Sequence, residues 1–172
     1  MAATPLLPPF WGIMIVYKKG DLLKSGAHVI VHGCNCYNVM GAGVAQMIKH
    51  RWPAALEADR LFSGRYQGPH LDTTFEMLGL YSQSGKATPE EPLIINLYTQ
   101  HGYSTGRRRL NYEALMLGMT ALSKRVHPDW RVAMPKIGAG LAGGDWDIIE
   151  LMINKAFGDR EVEVWLYDPA AN

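Results

Sequence analysis

Two glycine-rich turns hold the residues best suited to chemistry in this sequence. The first reads Gly41-Ala42-Gly43-Val44, the second spans residues 138–144, and a segment with helical spacing of apolar residues follows each. The first turn of a helix leaves backbone N–H groups unpaired, and glycine lets a phosphate approach the main chain. The two glycine-rich turns together predict a binding site for a diphosphate. A Gly-Ala-Gly triplet alone is equally typical of a tight turn into a helix.

Polar side chains follow two of the apolar runs. His32 ends one run, and Thr99, Gln100 and His101 follow another. A histidine that titrates near neutrality can act as a general base or acid, and the Thr99 and Gln100 side chains can orient a water or a phosphate. We take His32 and Gln100 as candidate catalytic residues. The alternative for His32 is a structural, hydrogen-bonded histidine at a strand end.

Two further clusters are weaker candidates. His32, Cys34 and Cys36 alternate along an extended segment and could share one face, as a metal site requires, but no fourth ligand has a suitable spacing. We therefore expect neither a metal nor a cofactor. The basic run at residues 107–109 could attract a phosphate or an anionic polymer, although three charges before a helix are typical of a solvated loop.

Short apolar runs alternate with helical patterns along the chain. The runs that predict strands are residues 14–17, 28–32, 74–80, 93–98, 131–134 and 161–167. Helical spacing appears at residues 44–51, 112–126 and 146–157, with Asp145 as the N-cap of the last helix, and residues 82–92 are predicted to form a surface connection. The alternation predicts an α/β domain with helices on both faces of a mixed sheet. Ligands of such sheets bind outside the carboxyl ends of the strands, so both glycine-rich turns can face one crevice.

Composition limits the possible functions. The 172 residues fit one domain, and 17 Lys and Arg residues nearly cancel 16 Asp and Glu residues, which excludes the strong positive field of a non-specific nucleic-acid binder. Two cysteines are too few for a disulfide framework, so we expect a cytoplasmic protein, and no apolar run is long enough for a membrane span. We expect residues 1–12 to be a flexible extension and residues 13–172 a single domain.

The order and spacing of four segments resemble those of the macro domain family. The segments are Lys19-Gly20-Asp21-Leu22, the strand end at residues 32–35, the turn at residues 41–45 and the stretch at residues 134–146. The resemblance spans residues 13–168. It is closest to small stand-alone, often phage-encoded macro domains described as ADP-ribose-1″-phosphate phosphatases, and it extends to the terminal ADP-ribose glycohydrolase branch. It implies a three-layer α/β/α fold with a mixed central sheet, a monomer, and ADP-ribose or ADP-ribose-1″-phosphate as ligand, with ADP-ribosylated macromolecules as further partners.

The resemblance also implies roles for individual residues. Asp21 matches an aspartate that accepts a hydrogen bond from the adenine amino group, Asn35 matches an asparagine at the distal ribose and is a third catalytic candidate, and Tyr167 is the candidate aromatic beside the adenine. The implied ligand-binding residues are Asp21, Leu22, Asn35, Gly41, Ala42, Gly43, Val44, Thr99, Gly138, Ala139, Gly140, Leu141, Ala142 and Tyr167.

Two departures from the family pattern bear on the reaction. The glycohydrolase branch carries an aspartate where this chain has Ala142, and a lysine in the segment that here ends at Gln100 and His101. A Schiff-base mechanism at the distal ribose would lack both the carboxylate and the amine that it needs. We therefore expect hydrolysis of ADP-ribose-1″-phosphate to ADP-ribose and phosphate. The alternatives are a non-enzymatic reader of ADP-ribose or ADP-ribosylated protein, and a glycohydrolase that removes ADP-ribose from protein or nucleic acid.

Overall fold

A six-stranded sheet forms the centre of the computed structural model, which describes residues 14–103 and 107–171. The extension predicted at residues 1–12 lies outside the described residues. In chain order the elements are β1 (Ile15–Lys19), β2 (Val29–Asn35), α1 (Gly43–Arg51), α2 (Ala54–Ser63), the two-residue strands β3 (Gln67–Gly68) and β4 (Leu71–Asp72), β5 (Tyr81–Ser84), β6 (Leu93–Gln100), α3 (Tyr112–Ser123), β7 (Val132–Met134), α4 (Trp146–Phe157) and β8 (Val162–Leu166). Short 3-10 helices occupy Leu22–Lys24, Thr74–Met77 and Pro169–Ala171.

The sheet is mixed, as predicted. Its strand order is β1-β8-β7-β2-β6-β5, and every neighbouring pair is parallel except β5 with β6. The carboxyl ends of the five parallel strands therefore lie along one edge. Strand β2 pairs with both β7 and β6, and its register against β6 shifts between Cys34 and Asn35. This irregularity bends the backbone at the point where the chain leaves the sheet.

Side chains of β2 show how the two faces are built. Val29 and Val31 join the core cluster that α3 and α4 complete, whereas Ile30 joins the cluster that includes Ile48 of α1 and Ala55 of α2. Alternate residues of a strand point to opposite faces, so a strand that is apolar throughout is buried on both sides. The expected three-layer α/β/α fold is confirmed, with α1 and α2 on one face and α3 and α4 on the other.

Side-chain caps fix the starts of α3 and α4. The Asn111 side chain accepts a hydrogen bond from the Ala114 N–H at 2.9 Å, and the Asp145 side chain accepts one from the Asp147 N–H at 2.9 Å. The predicted N-cap at Asp145 is therefore confirmed. None of the helices in the two described ranges is long and apolar enough to cross a membrane.

Two local predictions were wrong. Residues 74–80 are not a strand, because the Asp72 carboxylate accepts hydrogen bonds from the Thr74 N–H at 3.1 Å and the Thr74 hydroxyl at 2.6 Å, and this turn opens the 3-10 helix Thr74–Met77. The connection predicted from residue 82 begins instead as the edge strand β5. Helix α2 and the β3–β4 hairpin were not predicted.

Candidate functional site

A cleft of about 750 Å³ opens at the carboxyl ends of the parallel strands. All of the residues proposed from the sequence contribute to its wall: Asp21, Leu22, His32, Asn35, Gly41, Ala42, Gly43, Val44, Thr99, Gln100, Gly138, Ala139, Gly140, Leu141, Ala142 and Tyr167. The structure thus brings segments from five different connections to one place. Their contacts with a ligand remain predictions.

The amino terminus of α1 lies in this wall without a side-chain cap. Ala42 is the N-cap residue, its backbone is extended (φ −148°, ψ 163°), and its methyl group cannot accept a hydrogen bond. Among the described residues, the N–H groups of Gly43, Val44 and Ala45 find no acceptor. Unpaired N–H groups at the positive end of a helix dipole favour an anion.

The second glycine-rich loop presents a similar row of donors. Hydrogen bonds from the Gly144 N–H to the Gly138 carbonyl (2.8 Å) and from the Gly143 N–H to the Gly140 carbonyl (3.0 Å) fold the loop back on itself. Within residues 14–103 and 107–171, the N–H groups of Gly140, Leu141 and Ala142 are left without an acceptor. Successive free amides form an anion-binding concavity.

The two loops face each other across the cleft. A side-chain atom built at Gly43 would lie 4.0 Å from Cδ1 of Leu141, whose side chain is 66% exposed. Gly43 has φ +57°, a left-handed conformation that glycine adopts without strain. A group with two phosphates can therefore contact the donors of both loops.

One end of the cleft holds Asp21 and aromatic side chains. Oδ1 of Asp21 accepts the Leu23 N–H at 2.9 Å and so caps the 3-10 helix that follows. Tyr167, the candidate aromatic beside the adenine, is exposed at the rim, and Trp165 also lines the wall and packs on the backbone at Gly20. Sequence reasoning missed Trp165, although its spacing of two residues from Tyr167 puts both on one face of an extended segment.

At the other end, the Asn35 side chain holds its own loop. Oδ1 accepts the Tyr37 N–H at 2.9 Å and the Val39 N–H at 3.3 Å, and Nδ2 donates to the Val39 carbonyl at 2.8 Å. These bonds leave one Nδ2 hydrogen for a ligand. The predicted contact of Asn35 with a distal ribose stays a prediction.

The end of β6 supplies neighbouring polar groups. Oγ1 of Thr99 is buried and has no hydrogen-bond partner among the described residues, while Nε2 of Gln100 donates to the Gly102 carbonyl at 2.7 Å. A side-chain atom at Gly33 would lie 2.9 Å from the Thr99 hydroxyl oxygen, so only glycine leaves this hydroxyl room. Tyr103, which sequence reasoning did not select, also lines the wall.

The structure does not support the acid–base role expected of His32. Its side chain is 1% exposed, and Nε2 lies 2.7 Å from Oδ1 of Asn96 inside the sheet–helix layer. Burial lowers the pKa of His32 to about 4, so the ring is neutral and a weak base near pH 7. The arrangement matches the alternative interpretation, a structural histidine.

The neighbouring thiols are buried as well. Sγ of Cys34 lies 3.6 Å from Nε2 of His32, burial raises the pKa of Cys34, and it raises the pKa of Cys36 to about 12. Both thiols are protonated near neutrality, whereas a metal binds the thiolate. No group of three or more His, Cys, Asp or Glu residues in the described ranges could hold a metal ion.

Solved structures and sequence relatives agree on the fold. The macrodomain of Mycobacterium tuberculosis DarG superposes with a TM-score of 0.71 at 26% identity, covering 92% of this chain and 99% of that one. An ADP-ribose 1″-phosphate phosphatase of Scheffersomyces stipitis is 31% identical over 83% of this chain and 94% of its own length. The chain belongs to the macro domain family.

Two more relatives match this macro domain over most of its length. An uncharacterized 17.5 kDa protein from the tk-vs intergenic region of Enterobacteria phage T4 is 35% identical over 91% of this chain and 99% of its own length. A DNA ADP-ribosyl glycohydrolase of Mycobacterium tuberculosis is 26% identical over 91% of this chain but only 43% of its own length. No protein-family model matches the chain.

Proposed function

We propose that this macro domain binds ADP-ribose in the cleft and hydrolyses ADP-ribose-1″-phosphate to ADP-ribose and phosphate. One observation carries the binding part: two rows of unpaired backbone N–H groups, at Gly43–Ala45 and Gly140–Ala142, face one cleft. The S. stipitis phosphatase, 31% identical over 94% of its own length, supports the reaction.

In this proposal the diphosphate lies between the two loops. The adenine lies at the end of the cleft with Asp21, Trp165 and Tyr167, and the distal ribose lies near Asn35 and the Thr99 hydroxyl. A volume of about 750 Å³ is within the range of sites that hold ligands of this size. The unpaired Thr99 hydroxyl supports a polar ligand group at the distal end, because a buried hydroxyl without a partner is unfavourable.

The proposed reaction relies on positioning and on backbone donors. One water molecule is consumed, and it is held near the 1″-phosphate by the side-chain amide of Gln100. Backbone N–H groups stabilise the charge that develops on the phosphate oxygens. Neither His32 nor a metal takes part in this scheme.

A non-catalytic reader is the second candidate. His32, the only histidine in the cleft wall among the described residues, and Asp59, whose pKa is raised by burial to about 6, are each 1% exposed, and this burial favours a reader. A glycohydrolase is the third. The 26% identical glycohydrolase supports it, whereas Ala142 and Gln100 at the two departures oppose it.

A pair of measurements on the purified protein separates the three. Phosphate release is followed with ADP-ribose-1″-phosphate, and calorimetry measures affinity for ADP-ribose. Phosphate release with saturation kinetics supports the phosphatase, and tight binding with neither release nor cleavage supports the reader. Release of ADP-ribose from modified protein or DNA without phosphate release supports the glycohydrolase. Absence of any ADP-ribose binding would contradict the whole proposal.

A further inference from the structure

Side chains hold the segment that leads into the first glycine-rich turn from two sides. We call residues 36–40 the approach loop. Asn35 binds it from the cleft side through Tyr37 and Val39. Asn38 has φ +61° and turns its side chain toward Asp59 and Ser63 of α2, and Asp59 also lines the cleft.

The contacts of Asn38 with α2 are specific. With its amide oriented to satisfy both groups, Nδ2 donates to the Asp59 carboxylate at 3.0 and 3.2 Å, and Oδ1 accepts the Ser63 hydroxyl at 2.7 Å. Asparagine is among the few residues besides glycine that enter the left-handed region readily, yet the conformation is still less favourable than a right-handed one. The contact with Asp59 and Ser63 therefore selects a conformation that the backbone alone would not favour.

Asp59 is an unusual residue for its place. It is 1% exposed, on the face of α2 that packs on the sheet, and no described lysine or arginine forms an ion pair with it. Its other side-chain donor is the hydroxyl of Tyr98, at 2.8 Å, and that hydroxyl also reaches Ser82 at 3.0 Å. A buried carboxylate is unfavourable unless it is hydrogen-bonded, and Tyr98 has Ser82 as a second partner. The Tyr98 hydroxyl would keep a partner without Asp59, whereas the Asn38 amide would lose the carboxylate to which it donates.

We propose that Asp59 is a positioning residue of the ligand site, which anchors Asn38 and thereby sets the path of the approach loop into the Gly41–Val44 turn. Only two residues separate Asn38 from Gly41, so a change of conformation at Asn38 moves the free N–H groups at the start of α1. The inference rests on the proposed function only where it concerns the ligand. The order of the loop itself can be tested without one.

The test compares Asp59→Ala with Tyr98→Phe. Both variants remove the Tyr98–Asp59 hydrogen bond, but only Asp59→Ala removes the hydrogen bonds from Asn38 to the Asp59 carboxylate. Amide hydrogen exchange is measured in the free protein at Tyr37 and Val39, whose N–H groups donate to Oδ1 of Asn35, and calorimetry gives the affinity for ADP-ribose. We expect faster exchange and roughly tenfold weaker binding in Asp59→Ala, the loss expected for a charge-assisted hydrogen bond, and near-native values in Tyr98→Phe.

Asn38→Gly completes the test and covers the case in which Asp59→Ala does not fold. Glycine accepts the left-handed conformation but has no side chain to anchor, so it should reproduce the faster exchange. In the double variant that combines Asp59→Ala with Asn38→Gly, the affinity for ADP-ribose should be no lower than in Asp59→Ala alone. Equal effects of Asp59→Ala and Tyr98→Phe, or native exchange in Asn38→Gly, would overturn the inference. A wild-type protein with a protected loop that fails to bind ADP-ribose would instead contradict the proposed function alone.

Discussion

The two carboxylate oxygens of Asp21 have different tasks. Oδ1 accepts the Leu23 N–H, which leaves Oδ2 for a ligand. Asp21→Ala should weaken ADP-ribose binding and relax the preference for adenine, because a charge-assisted hydrogen bond is worth about 1.5–3 kcal/mol. Calorimetry with ADP-ribose and with its inosine analogue measures both effects.

Asp21→Asn is the matched control. The amide oxygen can keep the hydrogen bond from Leu23, while the amide nitrogen replaces an acceptor by a donor. This variant should prefer the inosine analogue, which carries a carbonyl oxygen where adenine has its amino group. If all three proteins discriminate equally, Asp21 does not contact the base.

Gly140 offers a sharper probe of the second loop than Gly43 does of the first. A Cβ at Gly140 meets no atom of residues 14–103 or 107–171 within 4 Å and its φ is not positive, whereas substitution at Gly43 forces a side chain into the left-handed region. Gly140→Glu should fold normally and lose most ADP-ribose affinity, since its charge would repel the diphosphate. Gly140→Gln has nearly the same volume without the charge and should bind better. Similar affinities for the two variants, measured by calorimetry, would place the diphosphate away from this loop.

Among the elements, helix α1 begins at a residue whose side chain cannot cap it, and the ligand is expected at this same helix end. Ala42 already has the extended backbone of an N-cap but no acceptor. Ala42→Asp should raise stability by about 1 kcal/mol, because the carboxylate would accept free N–H groups of the first turn. The same carboxylate would compete with the diphosphate, so affinity for ADP-ribose should fall. Thermal unfolding and calorimetry provide the two readouts.

Asp145→Ala is the reciprocal control. It removes the cap of α4, which lies outside the cleft wall, and should lower stability by about 1 kcal/mol without a change in affinity. An Ala42→Asp protein that gains stability and binds ADP-ribose as well as wild type would show that the start of α1 is not the anion site.

How far the sequence predicted these elements depends on how local their causes are. The turn at Gly41–Val44 and the cap at Asp145 follow from neighbouring residues, and both were predicted correctly. Strand β5 has the polar sequence YSQS and forms because it pairs with β6, so no local pattern of residues predicts it. The environment of His32 could not be predicted either, because its partner Asn96 lies 64 residues away in the chain.

For the molecule as a whole, two buried groups give opposing dependences of stability on pH. Burial lowers the pKa of His32 from 6.5 to about 4, so its contribution is present above pH 6.5 and is lost as the pH falls toward 4. Burial raises the pKa of Asp59 from 3.8 to about 6, so its contribution is present below pH 3.8 and is lost as the pH rises toward 6. The two contributions have opposite signs between pH 4 and 6, so they partly cancel in the wild-type protein.

Asp59→Asn should therefore steepen the acid sensitivity of the fold. Between pH 4 and 6 the free energy of unfolding of wild type should change little with pH, whereas that of the variant should increase with pH. The difference between them should change by one to a few kcal/mol across this window, since one pKa unit corresponds to about 1.4 kcal/mol. Urea unfolding at several pH values measures it, and parallel curves would mean that Asp59 titrates normally in the folded protein.

The direction of the strands also determines where a linker or a label can be attached without blocking the cleft. Strand β8 ends at Leu166, Tyr167 stands at the rim of the cleft, and the short helix Pro169–Ala171 follows. The chain enters the sheet at the opposite edge, where the Met14 carbonyl accepts the Val162 N–H at 3.0 Å. A surface linker or fluorescent label placed after Ala171 would thus sit beside the opening through which a ligand enters. The same label on an exposed side chain near Met14 would leave that opening clear.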